Sequence, residues 1–163
     1  MNDTSSAPPA LAWSADNCTI GRVLDEIGDR WSLIVLREVF QGIRRFDDMT
    51  VRTSIPRQVL SGRLARLVEH GILRLEPYQE PGQRPRNEYR LTTKGLDLYP
   101  VLVAFQQWGT TYLVGPEGSP IAFTHRDCGA EVALDLRCAD GHLVADTRDV
   151  VPRPGPGARR RKV

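Results

Sequence analysis

Four residues toward the end of the chain have types and spacings that metals accept: His125-x-x-Cys128 and Cys138-x-x-x-His142. Thiolate and imidazole are donors that zinc favours, and two short pairs on turns around a hairpin suit a tetrahedral ion. The spacing departs from paired C-x-x-C knuckles, because one arm mixes His with Cys and the other carries an extra residue. Two readings stand: a zinc site, or a small β appendage in which the cysteines pack as small hydrophobes and the histidines are exposed. The irregular spacing favours the second. No cofactor is firmly implied, zinc being the one metal whose ligands are present in number. The remaining cysteine, Cys18, falls where a first helix should begin. Helix N-termini favour a thiolate, so redox sensing at Cys18 competes with ordinary burial of a small side chain.

Catalytic constellations are missing from the sequence. It holds no glycine-rich phosphate loop, no G-x-S-x-G and no H-E-x-x-H, and of its three histidines His70 sits at a helix end beside Gly71. The acid pairs Asp25-Glu26 and Asp47-Asp48 are adjacent, so on a helix their members do not face each other, and they read as solvated. The chain is not expected to be an enzyme.

The elements that must position these residues follow from period and punctuation. Asp16 or Asn17 is placed to cap a first helix with Ile20, Val23, Leu24 and Ile27 on one face, ending at Gly28. Asp29 caps a second, apolar nearly all round and therefore central, which Gly42 stops. A short third helix covers Arg44 to Met49. Pro56 opens a fourth, with Leu60, Leu64, Leu67 and Val68 as its buried stripe and His70-Gly71 as its end. The period then turns to alternation: Ile72–Glu76 and Glu88–Leu91 read as two strands joined by a Pro/Gly-rich tip. Thr92 or Thr93 caps a helical stretch that Pro100 should kink or split, carrying Leu96, Tyr99, Leu102, Val103, Phe105, Trp108 and Tyr112. Gly115 to Pro120 marks a boundary. Beyond it, Glu131–Cys138 alternates and suits a strand paired with Leu143–Ala145.

With 40% hydrophobic and 26% charged residues, the 163-residue chain has a globular composition. No apolar run approaches the roughly 18 residues of a membrane helix. The first ten residues lack the basic start and apolar middle of a secretory signal, which points to the cytoplasm. A net charge of +2 says little, but from Arg52 to Arg90 there are eight arginines, four glutamates and no lysines.

Helix, helix, short helix, turn, polar-faced helix and arginine-tipped hairpin is the order of a winged helix-turn-helix, an α+β class that is mainly helical with a two-stranded wing. A duplex major groove admits a helix whose short side chains allow close approach. Gly62 and Ala65 permit that approach on the fourth helix. Ser61 shares the exposed face, Gln58 suits adenine, and Arg57, Arg63 and Arg66 suit guanine or phosphate. Arg45 and the wing residues Gln83, Arg84, Arg86 and Asn87 complete the expected DNA surface. A winged-helix module that binds protein rather than DNA is the alternative.

Residues 18 to 109 resemble the HxlR family of bacterial transcriptional regulators, which is MarR-like. The match is carried by the N-terminal cysteine, by Gly28, Trp31, Val35, Leu36 and Glu38 in a G-x-x-W-x-x-x-I-L-x-E block, and by Arg45-Phe46. Further on come Val59-Leu60-Ser61-x-Arg63-Leu64 and Tyr89-x-Leu91-Thr92. Pro56 stands where this family often places a polar cap. The resemblance implies double-stranded DNA as partner, a homodimer formed through the first helix and the helix after the wing, a pseudo-palindromic operator, and a signal that is either an oxidant or electrophile sensed at Cys18 or a small molecule. The expected organisation is a flexible arm (1–15), a winged helix-turn-helix domain for DNA binding and dimerisation (16–114), a small β-hairpin or degenerate zinc-ribbon-like appendage (121–151) and a disordered basic tail (152–163).

Overall fold

A few capping residues set the helix boundaries. A computed structural model describes residues 12–161, so most of the expected N-terminal arm and the last two residues lie outside the described range. Asp29 accepts hydrogen bonds from the N–H groups of Trp31 and Ser32, starting α2 (Arg30–Phe40). Gly42, at φ +85°, turns the chain after it. α1 (Thr19–Ile27) begins one residue beyond Cys18, and neither Asp16 nor Asn17 caps it: the Asn17 amide donates to the Gly157 carbonyl instead. α3 (Phe46–Thr53) runs a turn longer than expected and ends on Ser54 in the left-handed region. Pro56 then precedes α4 (Arg57–Glu69) without any side-chain cap, its fixed φ being suited to a helix start.

Strands β1 (Leu73–Tyr78) and β2 (Arg86–Leu91) form an antiparallel hairpin in which Leu73 faces Leu91 and Tyr78 faces Arg86. Both strands reach two residues closer to the tip than their alternation suggests, because backbone pairing does not require apolar side chains. At the tip, Gln83 N–H donates to the Glu80 carbonyl across Pro81-Gly82, with Gly82 at φ +77°. Proline followed by a positive-φ glycine is the composition of a type II turn.

Thr92 caps a single helical turn, α5 (Thr93–Leu96), by accepting from Gly95 N–H. Pro100 splits the stretch, sitting in the first turn of α6 (Tyr99–Tyr112), where its missing donor is harmless. A Cβ on Gly95 would lie 2.3 Å from the Ile72 carbonyl oxygen, so the close approach of α5 to the backbone just before β1 needs glycine.

The described residues from Glu26 to Asp135 form one compact unit. Its core is built from Ile27, Val35, Leu36, Val39, Met49, Ile55, Leu60, Leu64, Leu67, Ile72 and Leu73. α2 lies at its centre, packed against α3, α4, β2 and α6. Glu38 is also fully buried there, ion-paired with Arg37 and with Arg52, whose Nε lies 2.5 Å from Oε2. Buried charge is tolerated only when paired in this way. Residues after the Gly/Pro-rich boundary return to α6: the Phe123 ring packs tilted against Tyr99, centroids 5.3 Å apart, and Leu134 N–H donates to the Gln107 side chain at 3.0 Å. The unit therefore runs past the compositional break at Gly115–Pro120.

A second unit joins the described residues through Asp25 with those from Leu136 onward. Ser14 N–H donates to the Arg159 carbonyl and Arg161 N–H to the Ala12 carbonyl, and Arg160 stacks over Trp13. Where composition suggests a disordered end, these arginines are thus bonded to the beginning of the described chain. The strands expected over Glu131–Cys138 and Leu143–Ala145 reduce to isolated bridges, Thr124 with Glu131 and Arg137 with Leu143. Alternation predicts a half-buried strand only if one face has something to bury against, and here Val132, Leu134, Leu136 and Leu143 are all exposed.

Candidate nucleic-acid interface

α4 sorts its residues by its period. Leu60, Leu64 and Leu67 are fully buried, while Gln58, Ser61, Gly62 and Ala65 are exposed on the other side. A Cβ built on Gly62 meets nothing within 4 Å. Nothing among the described residues calls for glycine there, although glycine in a helix costs about 1 kcal/mol relative to alanine. The face is smooth, polar and open to close approach.

The arginines around it divide into three groups. Arg57, at the first turn of α4, lies 3.0 Å from Asp47 and stacks over Phe46 at 4.7 Å. Arg86 reaches the same carboxylate from β2, at 3.5 Å. Arg45 pairs with Glu80 at 2.5 Å and lies over the Tyr78 ring at 4.3 Å, its charged form favoured first by the hydrogen bond to Glu80. These contacts join the start of α3, the start of α4 and the tip end of the wing, where a shallow cleft of about 150 Å³ opens beside Tyr78 and Glu80. Pairs this exposed contribute little to stability. Their consequence is orientation, because three cations are held on one surface.

The second group turns inward. Arg63 is half-buried, with Nε 3.1 Å from Asp29, and Arg66 is half-buried as well. Burial pushes the Asp29 carboxyl up, but the Ser32 hydroxyl and N–H, the Arg63 guanidinium and the Trp31 N–H outweigh it and hold the acid below its ordinary range. Arg63 therefore braces the α2 cap. The third group is the wing tip, where Arg84 is exposed, as is Asn87 on β2 opposite Pro77. Backbone geometry anchors the wing to the helices: Tyr89 N–H donates to the Arg44 carbonyl at 2.9 Å.

Asp47 and Glu80 were not visible as partners in the sequence. Asp47 reads there as one of two solvated neighbours, and only the fold brings Arg57 and Arg86 to it. Glu26 likewise leaves the solvated class: the Lys94 ammonium donates to it at 2.8 Å and lowers its pKa, with His70 3.9 Å away.

All three cysteines are free and exposed. Cys18 stands at the N-terminal boundary of α1, its carbonyl accepting from Arg22 N–H. His125 Nδ1 lies 3.3 Å from Cys128 Sγ, and Cys138 Sγ lies 3.6 Å from His142 Nδ1. The expectation that the C-terminal cysteines pack as small hydrophobes is therefore not met. Among the described residues no helix is long and apolar enough to cross a membrane.

Comparison with known proteins agrees with this architecture. The HxlR-like helix-turn-helix family profile matches residues 26–116. An uncharacterised HTH-type transcriptional regulator of Mycobacterium tuberculosis is 43% identical over 139 residues, covering 85% of this chain and 87% of the relative. The crystal structure of PA1607, a candidate transcription factor, is 37% identical and superposes with a TM-score of 0.75 over 86% of this chain and 96% of its own. The redox regulator HypR in its oxidised form is 28% identical, with a TM-score of 0.53 over 60% of this chain and all of its own. A family match spanning more than half of the sequence, on a winged helix-turn-helix with an open α4 face, makes the chain a member of the HxlR-like helix-turn-helix family of DNA-binding transcriptional regulators.

Proposed function

We propose that the protein acts as a homodimer on a pseudo-palindromic DNA operator, with α4 of each protomer in a major groove and the wing on the adjacent minor groove or backbone. The observation that carries this reading is the exposed face of α4, where Gln58, Ser61, Gly62 and Ala65 offer short or amide side chains and no Cβ at the point of closest approach. Arg57, Arg86 and Arg45 flank that face as phosphate-binding cations, and Arg84 extends them at the wing tip. Dimerisation is supported by apolar residues left in solvent: Ile20 and Leu24 on α1, and Phe105, Trp108 and Tyr112 on α6. Cys18, exposed at the start of α1, is the thiol through which an oxidant or electrophile acts; the likeness to HypR supports this.

Binding to the duplex beside the protein's own gene, measured against salt, tests the reading. Affinity should fall linearly on logarithmic axes as counterions are released. Arg84→Ala should weaken all sequences alike and lower the salt slope by about one, whereas Gln58→Ala should cost about 1–3 kcal/mol at a single base pair. Salt-independent binding, or both variants binding as wild type, would remove this placement of the DNA surface. Diamide should alter operator binding of the wild type and not of Cys18→Ser; equal responses would exclude Cys18 as the sensor.

A further inference from the structure

Away from α4, a second set of chemically capable side chains converges. Cys138, Asp140 and His142 each offer one ligand atom, and these atoms lie within 4.8 Å of one another. We propose that these three residues form a binding site for a zinc-class divalent metal ion.

The backbone already shapes the turn. Gly141, at φ +84°, donates its N–H to the Cys138 carbonyl at 2.9 Å, and Cys138 N–H donates to the His142 carbonyl at 3.1 Å. Arg137 bridges to Leu143 just beyond, and its guanidinium donates to the Gly141 carbonyl. The turn thereby brings positions 138 and 142 together, with Asp140 at its apex. On a tetrahedral zinc, a thiolate sulfur and an imidazole nitrogen stand roughly 3.5 Å apart, from the usual bond lengths and angle. Cys138 Sγ and His142 Nδ1 are separated by 3.6 Å. A thiol hydrogen bond to imidazole would span the same distance, but it gives no reason for a carboxylate to join the pair.

Ligand chemistry narrows the ion. One sulfur, one nitrogen and one oxygen suit zinc and its neighbours, while calcium and magnesium take all-oxygen sets. Binding requires the Cys138 thiolate, so the thiol proton passes to solvent and no electrons move. Three protein ligands leave a fourth position to water or another donor.

The surroundings supply an independent reason. Among the described residues every buried hydrophobic side chain belongs to the unit from Glu26 to Asp135, and none in the other unit is buried. A segment without a core needs some other brace, and a metal is one of the few available to so short a chain. This assignment is independent of the DNA reading and stands or falls separately.

The test uses the full chain, stripped with chelator, incubated with one equivalent of zinc and passed through gel filtration. One zinc should remain per chain in the wild type and in Cys18→Ser, and none in Cys138→Ser or His142→Ala. Asp140→Asn should bind at least about tenfold more weakly, since even outer partners of ligands are worth about 10- to 100-fold in affinity. Wild type without bound zinc, or retention by both Cys138→Ser and His142→Ala, overturns the proposal. Should either variant lose its helical circular dichroism, the wild type loaded with cobalt(II) decides: a thiolate-to-cobalt charge-transfer band supports the site, and its absence overturns it.

Discussion

α1 and α4 carry the same sequence signature, apolar residues at three- and four-residue spacing, yet meet opposite fates. Leu60, Leu64 and Leu67 of α4 are completely buried, whereas Ile20 and Leu24 of α1 are 72% and 59% exposed. In α4 the stripe is met by α2, α3 and β1 of the same protomer. In α1 only Ile27, at the end of the helix, is buried. An amphipathic stripe thus states that something must cover it without stating what does. Where the chain covers the stripe it is core, and the exposed stripe of α1 is the one assigned above to the proposed dimer contact.

The contrast is sharpest under truncation. Leu64→Ala should destabilise the protomer by about 2–5 kcal/mol in denaturant unfolding, from lost transfer energy and the cavity left behind. Leu24→Glu should leave that unfolding transition nearly unchanged at low concentration while moving sedimentation from dimer toward monomer. If both substitutions unfold the protomer alike, α1 is core and the distinction fails.

Gly62→Ala probes the opposite face of α4 and should separate stability from function. Replacing a mid-helix glycine should stabilise the fold by about 0.4–1 kcal/mol, because the unfolded chain loses freedom and the added methyl meets nothing. The same methyl should weaken operator binding by about tenfold, or about 1.4 kcal/mol. A variant that is more stable and binds equally well would show that the duplex does not approach this face.

The smallest effect concerns acid. Asp29 has a depressed pKa in the folded state, so its stabilising contribution is complete above the unfolded value of about 3.9 and is lost as pH falls through the lower folded value. Asp29→Asn should remove part of the acid sensitivity of unfolding below about pH 4. Arg63→Ala should reproduce some of that change, because Arg63 braces the α2 cap; an unchanged acid limb in both would detach Arg63 from the cap.

Much of this protein is determined by sequence alone. Asp29, Pro56, Gly71 and Pro100 fix helix ends by chemistry local to each residue, and the leucine spacing of α4 fixes which face is apolar. These features depend on neighbours within a turn or two, so they are legible without a fold. Partnership is not. Asp47 lies 10 residues from Arg57 in sequence, and its pairing with Arg57 and Arg86 exists only because α3, α4 and the wing converge. Tertiary packing likewise decided that Arg63 turns inward to Asp29, that Glu38 is buried between two arginines, and that the alternating Glu131–Cys138 segment remains almost without strand. In each case the deciding quantity is what occupies the space opposite a side chain, a property of the folded neighbourhood that residue spacing does not encode.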